Sequence, residues 1–140
     1  MLGISFFIPS APFPPKARGR RGFGSVGSST SVLNIQLCLE ATGLDRFFGT
    51  NITGAEDVKN GKPAPDVFLA AAAKIERAPS QCLVIEDAHV GVEAGLAAGM
   101  KVLAVTTTHK APTFGGKPHR IVDTLSEIKL QDLINLLSAV

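Results

Sequence analysis

The sequence predicts an α/β fold built on a doubly wound parallel sheet. Three observations carry that expectation. Short apolar runs alternate with segments of helical periodicity along most of the chain. Cys82-Leu83-Val84-Ile85 is apolar at every position, the pattern of a strand covered on both faces. Gly43 and Gly99 stand where helical periodicity stops.

Taken in order, Ser25–Ser28 reads as a short, glycine-interrupted strand end. Thr30 or Ser31 can cap a helix running to about Thr42, with Val32, Ile35 and Leu39, and Leu33 and Leu37, at helical spacing. Phe47-Phe48 are expected in the core, followed by a strand near Thr50–Thr53. Pro65 suits a first helical turn and Asp66 its positive end, so a second helix is expected from there to about Arg77. The apolar strand at residues 82–85 ends at Glu86-Asp87. A helix over His89–Ala98, a strand over Lys101–Val105, a short strand over His119–Val122 and an amphipathic helix over Leu130–Leu137 complete the alternation. The Lys110–Lys117 loop is read as a solvated connector, and His89, His109 and His119 as structural or exposed. In such sheets chemistry gathers at the carboxyl ends of the strands.

A chain of 140 residues suggests one domain at most, and a net charge of +2 is too small to argue for nucleic acid or an anionic membrane as partner. No apolar run reaches the ~20 residues of a membrane helix. Cys38 and Cys82 form no framework, and both are expected as buried free thiols. The first stretch differs in kind. No acidic residue precedes Glu40, Lys16, Arg18, Arg20 and Arg21 cluster, and Pro9, Pro12, Pro14 and Pro15 forbid regular structure. Residues 1–24 are therefore read as a disordered Pro/Gly/Arg-rich leader, with an organelle transit peptide as the alternative. Residues 25–140 are read as the C-terminal part of a core domain. The expected location is the cytoplasm or an organelle's stroma or matrix.

Three places can do chemistry. Glu86-Asp87 puts two carboxylates at the end of a buried strand. Burying an unpaired carboxylate is costly, and a Mg²⁺ ion held by one or two of them removes the cost; the plainer reading is a solvated strand end with Asp87 capping the next helix. Lys62, stiffened by Pro63 and Pro65, can neutralise phosphate or a nucleophilic carboxylate, although most lysines are surface charges. Ser28-Ser29-Thr30 sits at a strand-to-helix junction, where hydroxyls and amides form an anion site or simply an N-cap.

These segments appear in one order, each at a strand's mouth. They are Ser28-Ser29-Thr30 with Asn34-Ile35, Gly61-Lys62-Pro63-Ala64-Pro65-Asp66-Val67-Phe68, and Val84-Ile85-Glu86-Asp87-Ala88-His89-Val90-Gly91-Val92-Glu93-Ala94-Gly95, closing with Ala97-Ala98-Gly99-Met100. Over Ser28–Val105 the chain resembles the haloacid dehalogenase superfamily, in its β-phosphoglucomutase-like branch. The resemblance implies a Rossmann-like core. It also implies Mg²⁺-dependent chemistry on a small phosphorylated metabolite, by phosphatase or phosphomutase action through an aspartyl-phosphate. It casts Ser28 as the hydroxyl that holds the phosphoryl group, with Ser29 and Thr30 beside it, and Asn34 as a secondary phosphate-site residue. Lys62 is cast as the charge-balancing lysine, and Asp87 with Glu86 as the metal site.

The family's nucleophile lies in an Asp-x-Asp-Gly-Thr motif. The 140 residues contain no such motif, and their first aspartate is Asp45. The family's cap domain, inserted between that motif and the serine segment, has no counterpart either. The sheet is therefore expected to be partial, because the family's first strand lies between those ending at Ser28 and at Glu86. Ile4–Ile8 is long enough to fill that place, but a truncated product with a disordered leader is the favoured reading. The expectation is a fragment of a phosphoester hydrolase or phosphomutase, inactive alone. The alternatives are a non-catalytic phosphate- and Mg²⁺-binding domain, or a chain completed by a partner.

Overall fold

The computed structural model describes residues 24–139, so the leader up to residue 23, with the Ile4–Ile8 proposal, lies outside the described residues. The strands are β1 (Val26–Gly27), β2 (Ile52–Thr53), β3 (Leu83–Glu86), β4 (Lys101–Val105) and β5 (Arg120–Val122). The helices are α1 (Val32–Thr42), α2 (Asp45–Phe48), α3 (Asp66–Lys74), α4 (His89–Ala97) and α5 (Leu130–Ser138). Every pairing is parallel. Among the described residues the strands form two ladders, β1-β2 and β3-β4-β5. The α/β class and parallel arrangement are those the sequence predicts.

Strand alternation sorts the core into layers. On β3, Leu83 and Ile85 join Leu103, Val105 and Val122 beneath Leu133 and Leu137 of α5. Val84 points the other way and packs with Val67, Phe68 and Ala71 of α3 and Val92 of α4. By the same alternation Glu86 lies on the α3/α4 side. On β1, Val26 meets Ile35 and Leu39 of α1, while Gly27 lies against the Phe68 ring. Helix α3 thus packs on both ladders and ties them together.

Local chemistry sets the element ends. Ser31 caps α1, its Oγ accepting from the Asn34 amide at 3.3 Å. Gly43 stops α1 in the left-handed region at φ 69°, which a side chain disfavours. Helix α3 ends at Lys74, three residues before Arg77, because Glu76 takes a positive φ of 54°. Phe48 is buried but Phe47 is half exposed, so only one of the pair is core. The Lys110–Lys117 connector is not simply solvated: Ala111–Phe114 forms a 3₁₀ turn that buries Phe114 against α4's layer. The two cysteines also differ. Cys82 is buried and Cys38 only half-buried. Burial, opposed by nearby Arg77, pushes the Cys82 thiol up to about 11, which leaves it protonated and unreactive.

His119 fixes the register of β5. Its amide donates to the Val102 carbonyl at 2.9 Å and its Nδ1 accepts from the Val102 amide at 3.1 Å. Accepting requires the neutral ring. Desolvation, then Lys101, hold the imidazole below its ordinary 6.5. A histidine lowered in the folded state contributes its stability fully above its unfolded value and loses it as pH falls through the folded value. His119→Ala is therefore expected to cost about 1 kcal/mol at neutral pH, with the difference from wild type closing on acidification. Urea denaturation across a pH series reads both.

Candidate functional site

Two strand ends and one loop converge on a single cleft of about 360 Å³, lined by Ser28, Ser29, Thr30, Lys62, Glu86, Ala88 and Val90. The three segments singled out in the sequence, 24 to 34 residues apart along the chain, are brought together by the parallel fold.

Ser28 follows β1 directly. Its amide donates to the Thr53 carbonyl at 3.0 Å, which holds it against β2, and it is almost wholly buried. The Thr30 amide approaches Ser28 Oγ at 3.4 Å. Ser29 is exposed and Thr30 half-buried at the start of the turn into α1. The cap of α1 is Ser31, so Ser28, Ser29 and Thr30 are not used up as N-caps. Asn34, one turn into α1, reaches back to donate to Thr30 Oγ1 at 3.0 Å. This small hydroxyl-and-amide bay stands beside the N-terminal end of α1, where helix polarity favours an anion.

Lys62 comes from the loop before α3. Its ammonium forms an ion pair with Glu86 Oε1, and both side chains are almost completely removed from solvent. The ammonium also lies 4.7 Å from the centre of the Phe68 ring, whose face attracts a cation. The second Glu86 oxygen accepts from the amides of Asp87 and Ala88, at 3.1 and 3.2 Å. Both oxygens are thus engaged, and Glu86 serves as the anchor of Lys62.

Asp87 is half-buried on the segment between Glu86 and Ala88 and flanks the cleft without lining it. Its Oδ2 accepts from Thr108 Oγ1 at 2.5 Å. Thr108 belongs to the turn after β4, which is held a second time where the His109 and His89 rings meet at 4.3 Å, with Phe114 4.7 Å from His89. Among the described residues no cluster of three or more His, Cys, Asp or Glu could hold a metal by itself. The donor set nevertheless suits Mg²⁺, a hard cation that takes one or two carboxylates and completes its shell with water and phosphate oxygens. Asp87 is the carboxylate beside the cleft whose side chain is not bound to Lys62.

The structure gathers Ser28, Ser29, Thr30, Lys62 and Glu86, all singled out in the sequence, at this cleft with Asp87 beside it, and it adds Thr108 and Phe68, which the sequence did not mark as site residues. Thr108 could have been flagged by the rule that strand carboxyl ends gather the site. Phe68 reads as an ordinary core position of α3.

A family model for haloacid dehalogenase-like hydrolases matches residues 19–99. The chain is 42% identical over 80 residues to the bifunctional riboflavin kinase/FMN phosphatase of Arabidopsis thaliana, which covers 57% of this chain and 21% of that protein. It superposes on a HAD family hydrolase from Deinococcus radiodurans R1, solved with bound phosphate and sodium, with a TM-score of 0.68 and 27% identity. That match covers 83% of this chain and 54% of the other. A β-phosphoglucomutase from Clostridium difficile shares the fold at a TM-score of 0.56 and 20% identity, covering 79% of this chain and 56% of that one. The chain thus spans about half the length of these solved structures and about a fifth of the curated relative. No helix among the described residues is long and apolar enough to cross a membrane.

Proposed function

The chain belongs to the haloacid dehalogenase-like hydrolase family, and on that premise we propose that it carries the phosphate-holding part of a Mg²⁺-dependent phosphoester hydrolase or phosphomutase site. The observation that supports this reading is the single cleft in which Ser28–Thr30 face Lys62 on its Glu86 anchor. The Ser28–Thr30 hydroxyls and the Ser29 amide bind the phosphoryl oxygens, and the Lys62 ammonium donates to them while Glu86 balances its charge. Electrostatics argue for a metal as well. Glu86 neutralises Lys62, and Asp87 adds a negative charge, so a phosphate dianion needs an accompanying cation. Asp87, through the oxygen that Thr108 does not hold, would bind Mg²⁺, which supplies Lewis-acid polarisation of the phosphate when bound. The ligand is a small phosphorylated metabolite.

Covalent phosphoryl transfer also needs a nucleophilic carboxylate in line with the phosphate. No Asp-x-Asp pair occurs in the 140 residues, and among the described residues Glu86 is bound to Lys62 and Asp87 lies to the side of the cleft. The chain by itself therefore holds phosphate without hydrolysing its esters, and turnover requires a carboxylate from another chain or segment. The experiment is hydrolysis of an aryl phosphate with Mg²⁺ by purified chain, beside Asp87→Ala. The expected result is no turnover by either protein. Turnover by the wild type that Asp87→Ala abolishes would overturn the non-hydrolysing reading.

A further inference from the structure

We infer that Gly91 is a positioning residue for the Lys62–Glu86 pair: its missing side chain is the space in which the Glu86 carboxylate lies. A Cβ at position 91 would overlap the Glu86 carboxyl carbon and both oxygens, well inside the 3.0 Å that real Cβ contacts essentially never breach. The carboxylate has no exit. Its side chain is fully buried, Lys62 closes one side, and the Asp87 and Ala88 amides hold Oε2. Strand alternation aims Glu86 at this helix face, and only a residue without Cβ lets α4 come close enough to seal the pair from water. A methyl here has to displace Glu86, and with it the ammonium that Glu86 holds.

One turn on, Gly95 provides an internal contrast. A Cβ there would stand 2.9 Å from Val102 Cγ2 and 3.3 Å from Val84 Cγ2, so Gly95→Ala strains the same helix without meeting the carboxylate. If Gly91 mattered only for helix packing, the two variants would behave alike.

The test is the rate at which an amine-acylating reagent modifies Lys62, followed by mass spectrometry. Lys74 is the folding reference, being tied to the Ile52 carbonyl and 3.7 Å from Asp57. Gly91→Ala is expected to raise the Lys62 rate about tenfold or more, because an ammonium freed from its buried carboxylate partner meets solvent and reagent, with Lys74 unchanged. Gly95→Ala leaves Lys62 protected. Shortening the acid in Gly91→Ala/Glu86→Asp makes room for the methyl and restores protection. An unchanged Lys62 rate in Gly91→Ala, or an equal rise in Gly95→Ala, overturns the inference. If Gly91→Ala raises Lys74 too, through unfolding, the double variant decides: a folded protein with protected Lys62 supports the inference, and an unfolded one contradicts it. The consequence for phosphate rests on the function proposed above. Phosphate titration of the wild type separates the two, because protection lost in Gly91→Ala from a protein that binds no phosphate upholds the role of Gly91 and sinks that function.

Discussion

Glu86→Gln is expected to destabilise the protein by about 3–5 kcal/mol, because it strands the Lys62 ammonium without its counter-charge in a nearly dry site. The glutamine can still accept from the Asp87 and Ala88 amides, so the loss isolates the charge. Lys62→Met strands the carboxylate instead and is expected to cost less, since those two amides still solvate Glu86. The double variant Lys62→Met/Glu86→Gln removes both charges and should recover much of the loss, as replacing a whole buried pair often does. Set against a typical total of roughly 5–15 kcal/mol, the single change at Glu86 takes a large share. Urea midpoints of the four proteins give the coupling directly. A single-variant loss below about 1 kcal/mol, the range of exposed pairs, would mean that the pair is solvated and does not hold Lys62 in place.

Phe68→Ala is expected to cost a similar amount, about 3–5 kcal/mol for a fully buried aromatic ring. The ring is wholly inaccessible, lies against Gly27 of β1, and belongs to the cluster that includes Val84 and Val102 of the other ladder. Its removal opens a cavity where α3 joins the two ladders and also takes away the surface beneath Lys62. Phe68→Leu should lose less than half as much by refilling most of the volume. Calorimetry or urea denaturation checks the order, and a Phe68→Ala protein as stable as wild type would refute the tie between the ladders.

Why these two positions dominate also explains what the sequence could reveal. The run Cys82–Ile85 announced a buried strand because apolar pattern is a local property. So is the hydroxyl cluster before α1. The Lys62–Glu86 pair joins residues 24 apart, and no spacing rule marks which buried acid a lysine will meet. Periodicity carries helix α3 to Arg77, but it stops at Lys74, followed by the left-handed Glu76, which carries no glycine signal. Phe47 and Phe48 are chemically identical, and only the fold decides that Phe48 enters the core. Phe114 lay hidden among Pro112, Gly115 and Gly116, whose composition suggests open loop. Thr108 sits in a run of three threonines with no periodicity, so its bond to Asp87 becomes visible only once β3 and β4 lie side by side.

That Ser28–Thr30, Lys62 and Asp87 form one phosphate site calling for a cation is tested by amide and lysine-side-chain NMR of the isotope-labelled chain titrated with inorganic phosphate, with and without Mg²⁺. Shifts are expected to concentrate at residues 28–31, 62 and 86–88 and to be stronger with Mg²⁺ present, with the Mg²⁺ dependence lost in Asp87→Ala. Shifts elsewhere, or none at these positions in the presence of both ions, would contradict it.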